Sequence, residues 1–348
     1  MDKIIRVLIV DDSAYIRKVV KKMLSRSPFI DVVGTAYDGE EALTMVEQLN
    51  PDVVTLDMVM PQMDGLTFLK KQMRRKPVRV LIVSITSESS ERVLESLECG
   101  AIDFVQKPTA LATDKIFEIS DELIAKVKAV AQVPTTALWS GPTIPNLVPS
   151  FIGKPAGRKT VDIVVIGIST GGPQALRTII PQLPADFPVP IAIVLHMPIG
   201  YTKMYAEKLN EISAIEVVEA REGEQLRPGL VMLAPAGKHL KLVRLDKKTV
   251  VAYLDMKPYT TLHRPSVDIL FQSTAEVFQR RVLGIVMTGM GSDGKQGAAW
   301  IKSQGGFIFT EAEESCVVYG MPHVVDEAGL SDKSVPLDLM SQRILEMV

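Results

Sequence analysis

Cysteine is nearly absent: the 348 residues include two, Cys99 and Cys316. They lie far apart in different halves of the chain, so neither a disulfide framework nor a cysteine-rich metal site is indicated, and a reducing, cytoplasmic setting is expected. An excess of charge is also missing. Lys and Arg number 39 against 41 Asp and Glu, a formal net charge of -2, which offers no footprint for nucleic acid or an anionic membrane. Histidine is scarce at four residues, and that shortens any search for a general base. The opening MDKIIRVLIVDDS has an apolar run too short to span a membrane, with aspartates where a cleavable leader needs small neutral residues. It reads as a first strand.

What the chain does have is alternation. Its length exceeds one ordinary domain and suits two, each able to bury a core. Apolar runs and amphipathic stretches take turns through IIRVLIV, AYIRKVVKKMLSRS, DVVGTAY, EEALTMVEQLN, DVVTLD, GLTFLKKQMRR, VRVLIVSI, ERVLESLECG and DFVQKP, with a last helix from about Thr113 to Ala131. Short β-branched runs, apolar on both faces, predict parallel strands covered by helices on two sides. The first unit is therefore a (βα)5, flavodoxin-like α/β domain over residues 1–133. Prolines at 134, 142, 145, 149 and 155, without helical period, mark residues 134–159 as a linker. The rhythm resumes over 160–348, from VDIVVIGIS to FIFTEA and a closing amphipathic helix. This predicts a doubly wound, mostly parallel α/β domain. The hairpin-like region from Leu230 to Leu254 predicts antiparallel pairing and hence a mixed sheet.

In the first half, Asp11 and Asp12 follow RVLIV and Asp57 follows DVVTL, where loops at strand carboxyl ends converge on one rim. Three carboxylates there repel and raise one another's pKa unless a divalent cation neutralises them, and Mg²⁺ suits a few carboxylates plus exchangeable waters. Lys107 and Ser84 add a positive charge and a hydroxyl on the same rim. Together they make a site for a phosphoryl group on Asp57. Any one aspartate alone reads as a solvated cap.

The segments VDDS, LDMVMPQMDG, VSI and KP resemble the receiver domain of two-component response regulators across roughly the first 125 residues. The resemblance implies that Asp57 is the phosphoacceptor and that Asp11, Asp12, Asp57 and the Val59 carbonyl form the metal site. It also implies that Lys107 contacts the phosphoryl group, that Ser84 is the switch hydroxyl and that Phe104 is the aromatic repacking with it. Ile85 departs from the small residue that receivers usually carry.

In the second half, Gly167-Ile168-Ser169-Thr170-Gly171 follows an apolar strand and precedes a helix. This is the G-x-S-x-G pattern, in which glycines permit a tight turn and expose the hydroxyl at a helix N-terminus. Taken alone it serves equally as an anion-binding turn, though neither G-x-G-x-x-G nor a Walker lysine accompanies it. Of His196, His239, His263 and His323, His196 terminates the strand IAIVL on the rim expected for Ser169, and is the best-placed base. Asp293, in TGMGSDG after RVLGIVM, is the matching acid. Asp268, in RPSVD, competes with it but fits better as a charge at a helix start.

GISTGG, LHMP, HRPSVD, GMGSDG and SCVVYGMP resemble the catalytic domain of the chemotaxis receptor-glutamate methylesterase family from about Val161 onward. The resemblance implies phosphorylation-activated hydrolysis of glutamyl γ-methyl esters on chemoreceptor helices, with deamidation of receptor glutamines. A chemotaxis histidine kinase is the implied phosphodonor, Mg²⁺ the only implied cofactor, and neither nucleic acid nor membrane insertion is implied. Thr170 and Met290 would line the site and contribute oxyanion contacts, and the unphosphorylated receiver would cover the cleft. Two other classes compete. A phosphorylation-dependent transcription factor needs a basic helix-turn-helix, which the strand-rich second half lacks. An inactive scaffold would have no use for Ser169, His196 and Asp293.

Overall fold

The computed structural model describes residues 4–84, 90–107, 113–134 and 160–348. Ile85 and nearly all of the expected linker lie outside them. The chain divides into two compact units, Met1–Thr143 and Ile144–Val348.

The first unit has strands β1 (Ile5–Val10), β2 (Ile30–Ala36), β3 (Val53–Leu56), β4 (Arg79–Ser84) and β5 (Asp103–Gln106). Between and after them run helices α1 (Ala14–Leu24), α2 (Gly39–Leu49), α3 (Gly65–Arg75), α4 (Ser90–Glu98) and α5 (Thr113–Gln132). The sheet is parallel throughout, in the order β2-β1-β3-β4-β5. The helix starts are coded locally: Ser13, Asp38 and Asp64 cap α1, α2 and α3 by accepting N–H groups of the first turns, which otherwise lack partners. Because β1 and β3 are neighbours, Asp11 and Asp57 emerge side by side.

The second unit contains β6 (Ile163–Ile168), α6 (Gly172–Ile179), β7 (Ile191–Leu195), α7 (Thr202–Glu211), β8 (Glu216–Glu219), β9 (Leu230–Leu233), β10 (His239–Arg244) and β11 (Val250–Asp255). It continues with α8 (Val267–Phe278), β12 (Val282–Val286), α9 (Lys295–Ser303), β13 (Phe307–Glu311), α10 (Met321–Glu327), β14 (Lys333–Val335) and α11 (Leu337–Leu345). Seven strands in the order β14-β13-β12-β6-β7-β9-β8 pair entirely in parallel.

The expectation of a mixed sheet is therefore corrected. Leu230–Leu233, buried at every residue, is a parallel strand inside the main sheet. Among the strands of the described residues, β10 and β11 are the pair that runs antiparallel, and they form a separate two-stranded sheet. That hairpin lies on α8, where Leu242 N–H donates to Ser273 Oγ at 3.2 Å. Its Leu240, Leu242, Val250 and Ala252 join Phe271 and Val165 in one core. Burial against α8 thus gives the hairpin its apolar contacts without a place in the main sheet, each fully buried large side chain contributing about 1.5–3 kcal/mol.

Strand β6 is buried at every residue and sits at the point of reversal, with β7 on one side and β12 on the other. Ligand crevices of open α/β sheets open at such a switch point, beyond the strand carboxyl ends. Among the described residues no helix is long and apolar enough to cross a membrane.

Candidate functional site

Ser169 is the first residue beyond β6. The parallel ladder carries on past the strand ends, with Met287 N–H donating to Gly167 C=O at 2.9 Å and Ser169 N–H to Thr288 C=O at 3.0 Å. Gly172 N–H then closes on Ser169 C=O at 2.7 Å and α6 begins. Gly171 holds the turn at φ +80°, a left-handed conformation that costs other residues more. A Cβ there would also stand 2.5 Å from Val317 Cβ. Ser169 itself is partly exposed. Its amide is committed to Thr288, so an oxyanion must be met by other donors on this rim, where Thr170 is buried and Met290 partly exposed.

His196 extends β7 alongside, its N–H donating to Ile168 C=O at 3.1 Å. Its Nε2 lies 2.9 Å from Asp293 Oδ2. A carboxylate only accepts, so Nε2 carries the proton. Nδ1, buried and without a hydrogen-bond partner among the described residues, is left as the basic nitrogen. Burial pushes the Asp293 carboxyl up, but His196 and the Asp268 and Val267 amides outweigh it and hold the group below its ordinary range. Asp293 thus stays ionised while it fixes the ring.

His263 stacks on His196, ring centroids 4.1 Å apart and planes 23° from parallel. Sequence reasoning left it undifferentiated among the histidines. The available signal was its segment, HRPSVD, whose Ser266 and Val267 also bond Asp293. His239 opens β10 and is fully buried, with Nε2 3.2 Å from Pro258 C=O. His323 sits in α10 against the Tyr319 ring. A second residue missed is Glu311, at the end of β13 and 0% exposed. It accepts Thr288 N–H at 2.9 Å and Ser315 Oγ–H at 3.1 Å. Burial outweighs those two hydrogen bonds and raises its carboxyl to about 7. Thr288 in turn donates from Oγ1 to Thr170 C=O at 2.9 Å. Glu311 thus lies one residue behind the Ser169 turn.

On the first unit, Asp11, Asp12 and Asp57 bring carboxylate oxygens within 4.8 Å of one another. Lys107 Nζ bridges Asp11 Oδ2 at 2.7 Å and Asp57 Oδ2 at 2.8 Å. Burial raises the carboxyls of Asp11 and Asp57 despite Lys107. Burial opposes the charge on Lys107, yet the two aspartates hold its pKa above the ordinary value. Two anions against one cation, with exposed Asp12 beside them, leave a negative cluster of hard oxygen donors, the set a divalent cation such as Mg²⁺ prefers. Val59, exposed, follows in the same loop, and Ser84 and Phe104 are buried at the ends of β4 and in β5.

Fold and rim residues together define a class: a parallel α/β domain with a serine, a histidine and an aspartate beyond its strand ends, preceded by a receiver-type domain with a carboxylate cluster. The family model for the response regulator receiver domain matches residues 7–118 and that for CheB methylesterase residues 164–344. A Myxococcus xanthus protein-glutamate methylesterase/protein-glutamine glutaminase is 48% identical over 97% of this chain and 96% of its own length. A Thermotoga maritima protein of the same name is 40% identical, over 100% of this chain and 99% of its own. The crystal structure of the Thermotoga maritima CheB methylesterase catalytic domain is 41% identical, with a TM-score of 0.53, covering 54% of this chain and 99% of that one. The chain belongs to the protein-glutamate methylesterase/protein-glutamine glutaminase family.

Proposed function

We propose that Ser169, His196 and Asp293 form the catalytic set of a phosphorylation-activated esterase acting on glutamyl γ-methyl esters of chemoreceptors. Ser169 Oγ attacks the ester carbonyl carbon while His196 Nδ1 takes its proton. The tetrahedral intermediate expels methanol, which leaves with that proton. Water, deprotonated by the same nitrogen, then cleaves the acyl-serine to release a glutamate side chain and restore the serine. A glutamine side chain passes through the same steps and releases ammonia. Asp293 remains an anion throughout, orienting the ring and stabilising the imidazolium. Such general acid–base assistance contributes about 10²–10⁴-fold, and Thr170 and Met290 border the developing oxyanion.

The observation that carries this reading is the His196 ring: Nε2 engaged by Asp293, Nδ1 left without a partner on the rim of Ser169. In the receiver, Asp57 takes the phosphoryl group from a histidine kinase. Asp11, Asp12, Asp57 and the Val59 carbonyl would hold Mg²⁺, which would offset the charge of carboxylates and phosphoryl oxygens. Lys107 pairs with the phosphoryl group, and Ser84 and Phe104 pass on the change. Phosphorylation relieves restraint on the hydrolase to the extent that it favours one of two forms. The test is methanol release from methylated receptor membranes, with and without phosphodonor. Ser169→Ala should lose at least about 10³-fold in rate yet take up phosphate normally; retained hydrolysis would remove Ser169 from its role.

A further inference from the structure

Asp268 is a carboxylate on the rim to which the catalytic steps assign no task. It stands in the first turn of α8, but its side chain does not serve that helix. Oδ1 accepts Gly294 N–H at 2.9 Å and Gly297 N–H at 2.7 Å, both at the start of α9. Asp293, just ahead of α9, does the converse at the start of α8. It accepts Ser266 Oγ–H at 2.9 Å, Val267 N–H at 2.7 Å and Asp268 N–H at 2.9 Å. Each aspartate therefore caps the helix that carries the other.

The first N–H groups of a helix have no partner within it, and the helix dipole favours an anion there. The exchange fastens both helix starts to each other. The backbones meet at the same joint: a Cβ on Gly297 would lie 3.0 Å from Asp268 Cα, 3.2 Å from its carbonyl oxygen and 2.5 Å from Phe271 Cβ. One end of the joint is the turn that presents Asp293 Oδ2 to His196 Nε2. Two carboxylates in one network repel, and burial together with Asp293 holds the Asp268 carboxyl above its ordinary range.

We infer that Asp268 is a positioning residue for the catalytic histidine. By accepting the Gly294 and Gly297 amides it locks the turn before α9 onto α8, and so sets the direction from which Asp293 grips His196. It touches no substrate. The inference rests on the assignment of Ser169, His196 and Asp293 made above.

The experiment compares Asp268→Ala, Asp268→Asn and Gly297→Ala in the full chain, with Ser169→Ala as control. It reads kcat and KM for methanol release across pH, the rate of serine labelling by a fluorophosphonate, and thermal unfolding. Displacing Asp293 by a fraction of an ångström should lower kcat and labelling in Asp268→Ala by about 10–100-fold, with KM within about threefold of wild type. Asp268→Asn keeps an Oδ1 acceptor for both amides and should restore kcat to within about threefold. Its side chain carries no charge, so kcat restored in this variant assigns the effect to the two amide bonds and not to the anion beside Asp293. Gly297→Ala, with Asp268 intact, should behave as Asp268→Ala does. Wild-type kcat in Asp268→Ala would overturn the inference, as would an Asn variant no better than the Ala variant. If Asp268→Ala fails to fold, Gly297→Ala decides: wild-type kcat and labelling in that variant overturn the inference. Activity surviving in Ser169→Ala would instead sink the underlying catalytic assignment.

Discussion

Glu311 and Asp293 are both carboxyls on the rim of Ser169, and their surroundings drive their pKa values apart. Asp293 has an imidazole and several amides; Glu311 has one amide and one hydroxyl and is cut off from water. A carboxyl raised from 4.5 to about 7 binds its proton more tightly folded than unfolded. Its contribution is then fully present below about pH 4.5 and is lost as pH rises through 7. The size is on the order of 3 kcal/mol. Glu311→Gln keeps an acceptor for Thr288 N–H and cannot titrate, so its stability should lack that decline. Chemical denaturation at intervals from pH 5 to 8 measures the difference; parallel curves for the two proteins would refute it. Glu311 was not legible beforehand because a glutamate at a strand end reads as solvated, and its burial appears only in the tertiary structure. His263 was equally silent, since stacking on His196 joins residues far apart in the chain.

At the scale of elements, strand ends were readable because their residues are both β-branched and punctuated by glycine. That placed Ser169, His196 and Asp293 on one rim before any neighbour relation was known. Sheet order supplied the rest, since β6 lies between the strands that deliver the other two. The hairpin β10–β11 went astray for a related reason: alternation predicts strands but not the surface they cover, and here that surface is α8. The short α10 and β14 carry too few residues for any period to register. Close packing of loops also makes a sharp demand at Gly289, where a Cβ would meet Met321 Sδ at 2.5 Å and Ser169 Cβ at 2.7 Å. Gly289→Ala should displace the nucleophile and cost about 10²-fold in kcat without altering receiver phosphorylation. Methanol release and phosphate uptake by one preparation check both halves of that statement.

For the molecule as a whole, the consequence is a division of labour between two separately folded units. Asp57→Asn should retain basal ester hydrolysis and lose all stimulation by a small phosphodonor with Mg²⁺. A chelator should remove the stimulation in wild type and leave the basal rate. Stimulation that persists in Asp57→Asn would break the proposed link between receiver and hydrolase. Two α/β units and the residues at their strand ends followed from local pattern, because periodicity, glycine turns and helix caps act over a few residues. Which strand ends become neighbours, which carboxyls lose water, and how Asp268 and Asp293 exchange helices depend on contacts between distant segments. Those contacts exist only once the sheet has closed around β6, and they set the proton positions on which the chemistry turns.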